Sequence, residues 1–117
     1  MSGAKKADIE QFLKEFKAVW RGFVIPRPEN EKTLLKLCIT PYQRINEIKN
    51  LTYKNYFRGP TPEHDRGTGE WWEFGMMVKG EEIYIKLQVF ITKTLKKTKG
   101  KCLSFHVSDR PIKYPFK

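Results

Sequence analysis

Cysteine and histidine are scarce in this sequence, with two of each in 117 residues. Cys38 and Cys102 stand far apart without metal-ligand spacing, and His64 and His106 do not complete a ligand set. A zinc cluster is therefore not expected, nor is any other metal or cofactor. The two cysteines read as small half-buried side chains in a reducing compartment. The opening MSGAKKADIEQ lacks an apolar stretch of the signal-peptide kind, and no run approaches the length of a membrane span. The expectation is a soluble, cytoplasmic protein without a membrane partner. A serine triad, a cysteine–histidine dyad and a phosphate-cradling glycine motif are missing as well.

Acidic residues are in short supply. Thirteen Asp and Glu face 23 Lys and Arg, giving a net charge of +10 and a pI near 9.7. Such an excess on a small body attracts polyanions at long range, most commonly nucleic acid. An anionic membrane or an acidic protein would feel the same field. With 39% hydrophobic and 14% aromatic residues, disorder is not expected, and the length suits one domain covering residues 1–117.

Asp8 can cap a helix whose apolar stripe runs through Ile9, Phe12, Leu13, Phe16, Val19, Trp20 and Phe23. Residues 28–32 read as a polar connection, and periodicity leaves residues 33–39 undecided between helix and strand. Thr40, Pro41 and Gln43 form a capping-box start for a helix with Ile45, Ile48 and Leu51 inward and Arg44, Glu47 and Lys49 outward. Thr52 caps a short turn reaching Phe57. Residues 59–69, GPTPEHDRGTG, read as a loop in which His64 is an exposed histidine.

Three alternating stretches follow. Trp72, Phe74, Met76 and Val78 share one face, as do Ile83, Ile85, Leu87, Val89 and Ile91, and then Leu103, Phe105 and Val107. Lys79 and Gly80 suit a two-residue hairpin turn, which pairs Glu73 with Lys86 and Gly75 with Tyr84. Gly75 leaves room beside Tyr84, a hint of a pocket. Lys93, Lys96, Lys97 and Lys99 crowd the second turn, either as a solvated tip or as a basic finger that follows a phosphate backbone. Tyr114 and Phe116 are expected to pack back on the body. Helices first and an antiparallel meander last make an α+β domain, with the N-terminal helices on one sheet face.

The other face would carry Tyr84, Lys86, Gln88, Ser104 and His106, with Trp71 and Glu73 beside them and Arg58 arriving from before the loop. Such a face suits a phosphodiester: Arg58 and Lys86 can neutralise developing oxyanion charge, and His106 can move a proton. Tyr84 can serve as a base toward a ribose hydroxyl where neighbouring cations lower its pKa from about 10. Polar residues also line any antiparallel sheet with one solvated face, so a non-catalytic RNA- or DNA-binding module stays open, as does a docking domain for an acidic protein.

The succession NLTYKNYFRGP, GEWWEFGMMVKGEEIYIKL and CLSFHVSDRPIKYPFK resembles the MqsR family of toxins, part of the RelE-like group of small basic endoribonucleases. The likeness covers about residues 41–107 and is sharpest at YIK and SFH. It implies a RelE-like domain and an mRNA interferase that cleaves by attack of the 2′-hydroxyl on the adjacent phosphate without a metal. A cognate antitoxin is an implied partner, and ribosome association is compatible with it. Matched by position, the catalytic set falls on Tyr84, Arg58 and His106, with Lys86 in the same Tyr-x-Lys pattern. Trp71 stands where the family carries a glutamine, and is expected to stack on a base.

Overall fold

The computed structural model describes residues 3–62 and 69–117. His64 therefore lies outside the described residues. Three helices precede a four-stranded antiparallel sheet: α1 (Lys6–Val19), α2 (Pro28–Leu37), α3 (Pro41–Lys49), then β1 (Tyr56–Pro62), β2 (Glu70–Val78), β3 (Glu81–Ile91) and β4 (Thr98–Val107). The strands neighbour one another in chain order, β1-β2-β3-β4. The fold is α+β, with helices N-terminal to the strands. Among the described residues no helix is long and apolar enough to cross a membrane.

The core follows from the alternation on the central strands. Ile83, Ile85, Leu87, Phe74 and Phe105 are fully buried, and Ile9, Phe12, Leu13 and Phe16 of α1 pack on the same side. Phe12 stacks on Trp72 at 4.6 Å between ring centroids. Lys79 and Gly80 both have positive φ, as the tight hairpin requires, and Glu73 pairs with Lys86 and Gly75 with Tyr84. A one-residue slip would have turned the apolar set of β3 to solvent.

Five expectations are corrected. Residues 56–62, expected to run from turn into loop, form β1. Its pairing with β2 breaks at two points, and prolines are tolerated there because it is an edge strand. Gly59 has φ +113°, and a Cβ there would lie 2.7 Å from the Trp71 carbonyl oxygen, so only glycine fits. Residues 28–32 are not a connection but the start of α2, with Pro28 in its first turn. The buried positions of α2 are Asn30, Thr33, Leu34 and Leu37, a helical spacing half filled by polar residues.

The third correction concerns the end of α1, which stops at Val19. Phe23 is 58% exposed, while Val24 turns inward and bridges Cys102 in parallel. The fourth is on β4, where a register shift falls between the Lys86–Ser104 and Leu87–Cys102 pairs. Leu103 is the extra residue, so Cys102 instead of Leu103 faces the core. Arg44, expected to face outward, is buried at 6% exposure, with Nη1 3.4 Å from Glu31.

The exposed edge of β4 is closed mainly by side chains of α2. Asn30 donates through Nδ2 to the carbonyls of Ile25 (2.8 Å) and Leu103 (2.9 Å), and its Oδ1 accepts from the Phe105 amide (3.0 Å). Thr33 Oγ1 accepts from the Val107 amide at 3.4 Å. Buried backbone groups left unpaired are costly, so Asn30 is a structural residue despite its polarity. Asn30→Ala is expected to cost about 2–3 kcal/mol, read as a lowered urea midpoint at unchanged slope. An unchanged midpoint would refute this closure of the edge.

Candidate functional site

The second face of the sheet is laid out by its register. One row is Gly75–Tyr84–His106, the next Arg58–Glu73–Lys86–Ser104, the third Thr61–Trp71–Gln88–Lys101. Successive even positions of β3 put Tyr84, Lys86 and Gln88 on this side, so the structure brings Tyr84, Lys86, Arg58 and His106 together as expected. The Tyr84 and His106 rings lie 5.5 Å apart.

At the centre is Glu73, a residue that the sequence pattern places on this face without giving it a role. Glu73 is 4% exposed. Arg58 Nε lies 3.0 Å from both oxygens, and Tyr84 Oη donates to Oε1 at 2.6 Å. A carboxylate so far out of water is tolerated because both oxygens have charged or polar donors. The Arg58 side chain itself is 64% exposed, which leaves its guanidinium accessible to solvent.

This arrangement alters the expected part of Tyr84. Arg58 and Arg27 do favour the phenolate, but burial, together with the hydrogen bond and charge of Glu73, outweighs them. The phenol is held well above its ordinary range and stays protonated. His106 Nδ1 lies 3.0 Å from the Val107 carbonyl oxygen, an acceptor that suits Nδ1 as the donor of this contact and leaves Nε2 for a ligand. Beside His106 a shallow cavity of about 340 Å³ is lined by Lys32, Lys36, Glu29 and Asp109 as well. Arg27 reaches the face from the segment before α2, donating to Ser104 Oγ at 3.2 Å. Only the overall positive charge could have pointed to Arg27, Lys32 and Lys36.

The expected RNA-contacting residues divide. Trp71 is 8% exposed, with Lys86 Nζ 5.3 Å and Lys101 Nζ 5.4 Å from its ring centroid. With two ammonium groups against the ring and so little of it exposed, Trp71 is not an open stacking platform. Gln88, between Trp71 and Lys101 in the register, is 1% exposed and covered by Gly69, where a Cβ would meet Gln88 Cγ at 2.7 Å. Neither is free to read a base edge in this structure. Lys93, Lys96, Lys97 and Lys99 are exposed, but Lys99 pairs with Phe90 and the other three lie beyond Ile91, seven residues and roughly 24 Å along β3 from Tyr84. The tip is a bonded turn, with the Thr92 amide donating to Lys97 O at 2.8 Å and Lys96 N donating to Thr92 O at 3.1 Å.

The space beside Gly75 is filled by the C-terminal strap. A Cβ on Gly75 would meet Ile112 Cδ1 at 2.5 Å and Tyr114 Oη at 2.8 Å. Glu82 anchors the strap, accepting from the Ile112 amide (3.0 Å) and from Tyr114 Oη (2.7 Å). Tyr114 and Phe116 do pack back, Phe116 against Tyr53 and Tyr56. The strap thus walls the Tyr84 end of the face. A depression between α1 and β1 reaches the site at Arg58, but Asp8, Glu15 and Glu70 line it as well, and this excess of carboxylates disfavours phosphate. Among the described residues no three His, Cys, Asp or Glu side chains are grouped so as to hold a metal ion.

No family model matches this chain, and no match was found among curated proteins or among solved structures.

Tyr114, like Tyr84, has its phenol pushed upward by burial and by its hydrogen-bonded carboxylate, Glu82. A raised folded-state value means that this stability is fully present below the ordinary phenol pKa of about 10 and is lost as pH rises through the folded-state value. The Tyr84→Phe, Tyr114→Phe double variant is expected to lose less stability than the parent between about pH 9 and pH 12; equal losses in urea melts would contradict the assignment. The cysteines give a second check. Cys102 is fully buried, and burial pushes its thiol up to about 12, whereas Cys38 is exposed. A thiol-reactive dye at pH 8 is expected to label Cys38 at once and Cys102 only after denaturation.

Proposed function

We propose that this domain is a metal-independent endoribonuclease that binds single-stranded RNA across the Arg58–Glu73–Tyr84–His106 face. The observation that carries the proposal is the Tyr84 phenol, hydrogen-bonded at 2.6 Å to a buried carboxylate and 5.5 Å from an imidazole, in a chain of net charge +10. A phenol held protonated cannot be a base by itself. It can be a relay: Tyr84 Oη takes the proton of the ribose 2′-hydroxyl as its own proton passes to Glu73. The 2′-oxygen attacks phosphorus and the bond to the 5′-oxygen breaks. His106, as the imidazolium, gives its Nε2 proton to that leaving oxygen. The products are a 2′,3′-cyclic phosphate and a 5′-hydroxyl. Arg58 and Lys86 stabilise the charge on the non-bridging oxygens.

The resemblance of the YIK and SFH segments extends the proposal. It makes mRNA the substrate and the domain a toxin of a toxin–antitoxin module, restrained by a cognate antitoxin and acting in the cytoplasm, with ribosome association compatible. One observation favours a second reading, a non-catalytic RNA- or DNA-binding module: Glu73 already holds Arg58 and Tyr84, as a purely structural cluster would.

Incubation of the protein with single-stranded RNA in EDTA separates the two. The nuclease reading expects fragments ending in cyclic phosphate, with His106→Ala and Tyr84→Phe each slower by roughly 10²–10⁴-fold and Glu73→Gln slowed with Tyr84→Phe. A mobility shift without fragments supports the binding module. Folded Tyr84→Phe and His106→Ala variants that cleave at the parent's rate would sink the relay.

A further inference from the structure

The alternation of β4 would turn Lys101 toward the core if the strand ran without interruption from Phe105 back to its start. The Leu103 bulge prevents this. After the extra residue the phase reverses, Cys102 goes inward, and Lys101 comes up opposite Gln88 on the face that carries Lys86. Its ammonium then sits 5.4 Å from the Trp71 ring centroid and 4.9 Å from that of Phe90, while Lys86 Nζ is 5.3 Å from Trp71. Trp71, 8% exposed and seated on β2, is a rigid mount for both.

Two cations sharing one indole would repel each other if nothing else were bound. The ring's quadrupole offsets part of that repulsion, and an anion placed between the ammonium groups would offset more. Aromatic mounting also holds a flexible lysine stem in one place before a ligand arrives, which lowers the entropy lost on binding. Among the described residues on this face, Glu73 is the nearest acidic neighbour in the register, and it is engaged by Arg58 and Tyr84. Lys86 lies in Glu73's own row, and Lys101 lies toward the basic hairpin tip, on the opposite side of Glu73 from Tyr84 and His106.

We propose that Lys101 and Lys86, mounted on Trp71 and placed by the Leu103 bulge, form a phosphate clamp that holds the single-stranded RNA backbone next to the reacting position. This rests on the proposed RNA-binding reading and adds to it a subsite, a direction and a residue. The strand runs from His106 and Tyr84 over the lysine pair toward the hairpin tip. The ligand chemistry is a backbone phosphate diester, and base identity does not enter.

The test uses a 2′-O-methyl oligoribonucleotide of roughly ten nucleotides, which lacks the nucleophile and stays intact. Its affinity is measured by fluorescence anisotropy across a series of salt concentrations for the parent, Lys101→Ala, Lys101→Arg and Lys79→Ala. Lys79 lies at the β2–β3 turn and matches the charge change without lying on the path. For Lys101→Ala the slope of log affinity against log salt is expected to become shallower by about 0.7, one phosphate contact on a single strand. Lys101→Arg is expected to restore it, and Lys79→Ala to leave it unchanged. Equal slopes for Lys101→Ala and Lys79→Ala would overturn the clamp. If the parent binds this oligonucleotide with the expected Lys101 dependence yet leaves unmodified RNA uncut, the clamp stands and the nuclease reading fails.

Discussion

A carboxylate buried on a sheet face is an expensive object, and the arrangement around it follows from that expense. Glu73 lies in the middle of β2, where strand alternation aims its side chain away from the apolar core. At 4% exposure it has almost no water to solvate it, so Arg58 from β1 and Tyr84 from β3 must do so. Those two contacts join three strands through one side chain. Burial, with the hydrogen bond and charge of Glu73, keeps the Tyr84 phenol protonated against the pull of Arg58. Removing one partner of such a cluster is worse than never having had it.

The two faces of the sheet divide the work. The odd positions of β3 are sealed by α1 and by Phe74 and Phe105, which leaves the even positions free to carry polar groups without loss of core. The second face is not simply open to water, however. The strap through Ile112 and Tyr114 closes one end, Trp71 with its lysines roofs the other, and between them lie Tyr84, Arg58 and His106. A site at the floor of a partly covered sheet has a lower effective dielectric than an exposed one, so the same cations act more strongly on a phosphate.

Much of this was legible in the residues themselves. The register of β2 and β3 could be read from alternation and the Lys79–Gly80 turn, and it brought Glu73, Lys86, Gly75 and Tyr84 to their observed partners. β1 was hidden because glycine and two prolines at an edge look like loop. The first turns of α2 were hidden because Asn30 and Thr33 occupy positions where a helix normally shows apolar residues. At Cys102 and Leu103 either residue could have faced the core, so alternation could not reveal the bulge. Trp71 on the second face was foreseeable; that its ring would be occupied by Lys86 and Lys101 depends on side-chain reach across neighbouring strands, which no linear pattern encodes.

Both margins of the sheet are poor templates for a further strand. On β4 the outward backbone groups of Cys102, Leu103, Phe105 and Val107 are taken by the Val24 bridge, Asn30 and Thr33, and on β1 Pro60 and Pro62 offer no amide hydrogen. A protein that lengthens the sheet beside residues 103–107 of β4 would have to displace α2 first. At these margins a second chain would meet side chains in place of open backbone, and sticking of one copy to the next by strand addition is discouraged.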